Sequence, residues 1–198
     1  VVYVPYSGYT YVNINYCEVD GDQVQVPGGG ATPGIVGQGF NADHCNIHAT
    51  GDGIDTTGGT FTNNYIHDMF YVSGDHTDCM QTSGGADYTI QHNTLDARIQ
   101  SGYANSAFLW GADSGDISNT LITDNLLAGG NYTSYAGADT GYTSGTMNIT
   151  NNRYGGMAPT GYAQYGPTSF APIGGTINFT GNIWDGDGSA ITDQHVSG

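Results

Sequence analysis

FTNNYIHDMFYVSGDHTDCMQTSGGADYTIQHNTL, residues 61–95, opens and closes on the same six-residue phrase. Phe61-Thr-Asn-Asn-Tyr-Ile66 and Ile90-Gln-His-Asn-Thr-Leu95 share one pattern: apolar, any residue, usually polar, Asn, any residue, apolar. Working outward, the pattern returns as INYCEV from Ile14, ADHCNI from Ala42, ITDNLL from Ile122, ITNNRY from Ile149 and FTGNIW from Phe179, with Cys for Asn in the first two. The seven starts are separated by 28, 19, 29, 32, 27 and 30 residues. Glycine turns precede several of them, as at Gly58-Gly59, Gly84-Gly85, Gly145 and Gly174-Gly175. Long amphipathic helical patterns are missing, so a repeat architecture is the reading to try first.

One such phrase cannot bury its apolar side chains alone, whereas coils stacked about 4.8 Å apart pair their backbones and share a core. The fourth position then forms a column of Cys17, Cys45, Asn64, Asn93, Asn125, Asn152 and Asn182. Stacked asparagine amides hydrogen-bond along such a column. A β-sandwich also has short strands and many turns, but it leaves Asn at one phase of five consecutive repeats unexplained. The expected fold is therefore all-β: a parallel β-helix (solenoid) of about seven coils with an Asn/Cys ladder. Residues 1–198 form one such domain, or a segment of a longer chain or assembly.

The repeat, and residues 63–95 in particular, resembles that of right-handed parallel β-helix proteins of the pectate-lyase-like superfamily. It is similar to β-helix repeat proteins secreted by bacteria and to β-helical tail proteins of phages. The resemblance covers nearly the whole chain and implies a right-handed coil, an extracellular or cell- or virion-surface location, and polysaccharide as the partner. It is far less specific for activity, since such proteins include lyases, hydrolases, receptor-binding spikes and inert solenoids. One departure is Cys79, where a small residue such as Gly is expected.

Charge narrows the functions. The chain has no lysine and two arginines, Arg98 and Arg153, against 18 carboxylates, for a net charge of −16. Nucleic-acid binding and attraction to anionic membranes both need cations that are not there. Schiff-base and P-loop chemistry need a lysine. No apolar run is long enough for membrane insertion. The partners left are neutral or cationic, or reached through a bound metal ion.

Stacked coils make columns the natural unit of a site. Ile54 and Met80 are expected to point inward from equivalent strands, setting Asp52 above Asp78, with Asp75 and His76 just upstream. Two neighbouring carboxylates push one pKa upward, as general acid–base catalysis requires, so these four are the candidate catalytic residues. Asp residues common in turns are the bland alternative, and Ca²⁺ held by the same carboxylates is another; no cofactor is otherwise implied. His48, His67 and Asp96 follow the repeat on three successive coils and form a candidate outward metal column, or else a polar column with no ligand. Asp55, Tyr71, Arg98 and Trp110 are candidate substrate-binding residues, among aromatics that include Tyr65, Tyr88, Tyr103, Tyr132, Tyr135, Tyr142, Tyr162 and Tyr165. Arg98 is the candidate base for a lyase, but pairing with a neighbouring Asp is the simpler expectation. Cys17 and Cys45, adjacent in the ladder, form either a disulfide or two stacked thiols.

An anionic polyuronate would be repelled by so acidic a protein. The expected function is binding or cleavage of a neutral or weakly charged polysaccharide, by a glycoside hydrolase rather than a polysaccharide lyase if the chain is an enzyme. The alternative is a non-catalytic structural or adhesive module of a surface protein, filament or phage tail spike. No capping helix is visible, which leaves the solenoid ends to another subunit, in a homo-oligomer or end-to-end assembly, or to sequence outside this chain.

Overall fold

A computed structural model describes residues 1–5, 12–25, 30–98, 104–138, 141–155, 163–192 and the backbone of 195–196. Among them there is no helix, and the strands form three parallel sheets wound as a β-solenoid. The first sheet stacks Val2–Val4, Ile35–Gly37, Ile54–Thr56, Asp78–Thr82, Ser106–Ala112, Tyr132–Ala138, Gly166–Ala171 and His195–Val196. The second stacks Val12–Asn15, Phe40–Asp43, Gly59–Thr62, Gly85–Gln91, Ile117–Thr123, Thr146–Thr150 and Thr176–Thr180. The third runs from Glu18–Asp20 through Asn46–His48, Tyr65–His67, Thr94–Ala97, Leu126–Gly129 and Arg153–Tyr154 to Ile183–Trp184. The seven repeat phrases thus enclose about six full turns, because seven stacked strands are separated by six steps.

Each phrase is the corner between the second and third sheets. Its first position lies in one core column, where Phe61, Ile90, Ile122 and Ile149 are in register and fully buried. Its sixth position lies in another, formed by Ile47, Ile66, Leu95, Leu127 and Tyr154. Burying each such side chain stabilises by about 1.5–3 kcal/mol. The corner itself needs one residue in the left-handed region. Tyr16, His44, Asn63, His92, Asp124 and Asn151 adopt it with φ of 54–57°, and Gly181 follows at 70°. Asn, Asp and His tolerate this conformation better than most residues, which accounts for the polar third position.

The fourth position forms the expected ladder. Asn64 Oδ1 accepts from the Cys45 N–H at 2.9 Å, Asn93 Oδ1 from Asn64, Asn125 Oδ1 from Asn93, Asn152 Oδ1 from Asn125 and Asn182 Oδ1 from Asn152. Each amide Nδ2 also donates to a core-strand carbonyl, Asn93 to Phe61 and Asn125 to Ile90. The corner's inward polar groups are satisfied inside a dry core, as burial requires. At the ladder's start the cysteines are free: Cys17 Sγ donates to the Asn15 carbonyl and Cys45 Sγ to that of Ile14. They are stacked thiols, not a disulfide.

Variation in coil length is concentrated in the connections from the third sheet back to the first. Residues 49–53 form a short one, 68–77 and 98–105 longer ones, and 130–131 the briefest. These connections build the walls of the candidate site, while the sheets remain in register beneath them.

Candidate functional site

Ile54 pairs with Met80 in the first sheet, and both are fully buried, as expected. This register sets Asp52 over Asp78: the Asp78 N–H donates to Asp52 Oδ1 at 3.0 Å, and Gln81 Nε2 lies 2.9 Å from Asp52 Oδ2. Asp78 does not project outward. It is 0% exposed, and its carboxyl accepts from the Ser106 hydroxyl and from Asn105 Nδ2 at 3.0 and 3.3 Å. Burial and the adjacent Asp78 push the Asp52 carboxyl up to about 8. Burial raises Asp78 to about 6, with Ser106, Asn105 and the nearby His76 holding it from rising further. Both carboxyls are thus held above the ordinary carboxylate range, Asp52 further than Asp78.

The carboxyls of a glycosidase face each other across a bound sugar. Here a backbone N–H and two side-chain amides occupy the corresponding oxygens, and the Asp78 carboxyl is closed off from solvent. The geometry makes the pair a hydrogen-bonded element within the wall of the coil.

Outside that wall lies an open groove of about 330 Å³, lined by Tyr71, Asp75, His76, Asn105, Asn131, Gln164 and Tyr165. Tyr71, Asp75 and His76 come from the 68–77 connection. Asp75 ties it down, its Oδ2 accepting the Ala31 N–H at 2.7 Å. Asn105 joins the two layers: it lines the groove while its Nδ2 binds Asp78. The far end is fixed by backbone bonds from Asn131 to Asn105, Gln164 to Gly130 and Tyr165 to Asn131. Tyr165 is 63% exposed, and its ring lies 5.7 Å from that of Tyr132, which in turn meets Tyr135 edge-on at 5.5 Å. A second concavity, about 430 Å³ on the second sheet, is lined by Asn41, Thr60, Asp87, Thr89, Asn119 and Leu121 among others; its one aromatic, Tyr88, is 1% exposed.

The other sequence candidates lie elsewhere. Trp110 is a core residue, fully buried and edge-on to Tyr88 and Phe108, and so cannot offer a face to a ligand. Arg98 is bound by Asp96, with Nε 2.7 Å from Oδ1, in place of any role as a base. Asp55 sits outside the groove, beside Gln81 on the outward face of the first sheet, its carboxyl raised by burial. His48 and His67 do stack, ring centroids 5.3 Å apart, but each ring is already engaged. His48 Nε2 meets Glu18, and His67 bonds Asn46 and Asp68 while stacking on Tyr65. Asp96, third in that column, is buried against Arg98. Among the described residues no three His, Cys, Asp or Glu side chains are grouped to hold a metal ion. Tyr103 and Tyr162 lie outside the described residues.

Ser106, Asn105 and Gln81, the partners of the acidic pair, are not marked by the sequence, nor are Asn131 and Gln164; Tyr165 stands among its candidate aromatics. The signal for Ser106 was its place one coil beyond Asp78, but no repeat phrase immediately precedes it to mark that step along the chain. Comparisons with protein-family models, curated proteins and solved structures return no match.

Proposed function

We propose that this chain is an extracellular saccharide-binding β-helix whose site is the Tyr71–Tyr165 groove, with a neutral or weakly charged polysaccharide as ligand. The observation that carries the reading is the lining itself: two tyrosines, Tyr71 and Tyr165, together with Asn105, Asn131 and Gln164. Sugar rings are recognised by flat apolar faces combined with a few fixed donors and acceptors. Kinship with the pectate-lyase-like superfamily and a cell- or virion-surface location belong to the same proposal. Binding without cleavage is favoured by the closed Asp52–Asp78 pair. The second reading, a purely structural or adhesive rod, draws on the same closed pair together with the continuous asparagine ladder.

The test is a calorimetric screen of the whole chain against neutral oligosaccharides, with Tyr165→Ala and Asp78→Asn alongside. Binding that weakens about tenfold in Tyr165→Ala, with no release of reducing ends, is the expected result. Absence of binding to every glycan leaves the structural rod. Release of reducing ends that disappears in Asp78→Asn overturns the non-catalytic assignment.

A further inference from the structure

The groove has a charge character that its aromatic lining alone does not require. Its charged wall is Asp75, with His76 beside it, and the buried Asp78 carboxyl lies directly behind Asn105, bonded to that amide. The cations that would balance this field are committed elsewhere. There is no lysine, Arg98 is held by Asp96, and Arg153 is held by Asp185. An anion entering the groove meets repulsion, a neutral sugar meets only dipoles, and a cation is attracted.

Asn105 adds direction to that field. Its Nδ2 is fixed on both Asp78 oxygens, at 3.0 and 3.3 Å, so its Oδ1 is left as the accepting end. Asp75 presents a second acceptor from the neighbouring connection, with Oδ2 anchored on the Ala31 N–H. A protonated amine carries three donors and suits a pair of acceptors of this kind, and the faces of Tyr71 and Tyr165 attract a cation as well. We propose that the groove selects a saccharide bearing free amino groups, with Asp75 as counter-ion and the Asn105 amide, oriented by Asp78, as acceptor. This rests on the saccharide reading and narrows its ligand to cationic amino sugars.

The experiment titrates the whole chain with glucosamine oligomers, N-acetylglucosamine oligomers and cello-oligosaccharides of equal length, in low salt and in about 0.5 M salt. Wild type is expected to bind the free-amine oligomer about tenfold more tightly than the other two in low salt, with the margin shrinking in high salt. Asp75→Asn, which keeps an oxygen for the Ala31 N–H, is expected to remove the margin. Because this change alters only one of 18 carboxylates, a margin that survives it reflects overall charge and overturns the proposal. Equal affinity for all three oligomers in wild type overturns the amine preference and leaves saccharide binding standing. No binding of any oligomer overturns both.

Discussion

Replacing Asp52 by Asn tests whether the Asp52–Asp78 pair holds its proton as the geometry implies. In the unfolded chain this carboxyl ionises near 3.8, and in the folded protein only near 8. Its folded pKa is raised, so between those values the folded state binds the extra proton, and stability falls as pH rises. The penalty is absent below pH 3.8 and grows by about 1.4 kcal/mol per pH unit, reaching about 4 kcal/mol at pH 7 and levelling off above pH 8. Asn has the same shape, keeps an oxygen for the Asp78 N–H, and places its nitrogen against the Gln81 amide oxygen after that amide turns. It removes the titration while leaving the contacts. Urea unfolding of both proteins at pH 4, 5.5, 7 and 8 is the assay. The variant should match wild type near pH 4 and exceed it by about 3–4 kcal/mol at pH 7. Carboxylates remote from the pair titrate alike in both proteins, so the difference between the two curves reports Asp52 together with its coupling to Asp78. Parallel curves, or a variant weaker by the same amount at every pH, would refute the reasoning.

Asn93→Ala should destabilise by about 2–4 kcal/mol, since it strips partners from the Asn64 N–H and the Phe61 carbonyl within a dry corner; a normal unfolding midpoint would count against the ladder as a stabilising element. Trp110→Ala should lose about 3–5 kcal/mol through the core cavity it leaves, yet leave saccharide affinity intact at temperatures where the variant is folded; selective loss of binding would return Trp110 to the site. Arg98→Ala strands the Asp96 carboxylate, 6% exposed, so its melting temperature should fall at pH 7; an unchanged melting temperature would count against the ion pair as a stabilising element. EDTA should change neither melting temperature nor binding, because the rings of His48 and His67 and the Asp96 carboxyl already have protein partners; a drop in melting temperature would restore a metal to that column.

Of the candidate site, sequence spacing captured the stacking of Asp52 on Asp78 and the nearness of Asp75, His76 and Tyr71. It did not capture which carboxyl is enclosed. That depends on Ser106 and Asn105 closing over Asp78 from the next coil, after a connection whose course no local pattern specifies. Trp110 illustrates the same gap. An aromatic in a strand reads equally well as core or platform, and only its inward phase, in register with Thr82 and Ala136, decides for the core.

The sequence by itself determined the solenoid, because the repeat phrase contains everything its corner needs. It has two apolar flanks for adjoining core columns, a polar residue tolerant of positive φ, and an asparagine whose bonds reach the coils above and below. Those requirements are local and recur in every coil, so they leave a period that can be read along the chain. The groove is different in kind. Its lining comes from four separate connections, at residues 68–77, 98–105, 130–131 and 163–165, and none of these repeats another. Stacking alone brings them together, and stacking alone removes Trp110 and Asp78 from solvent. The fold follows from what each coil shares, whereas the site is decided by what the coils do not share, once tertiary packing sets their differences side by side.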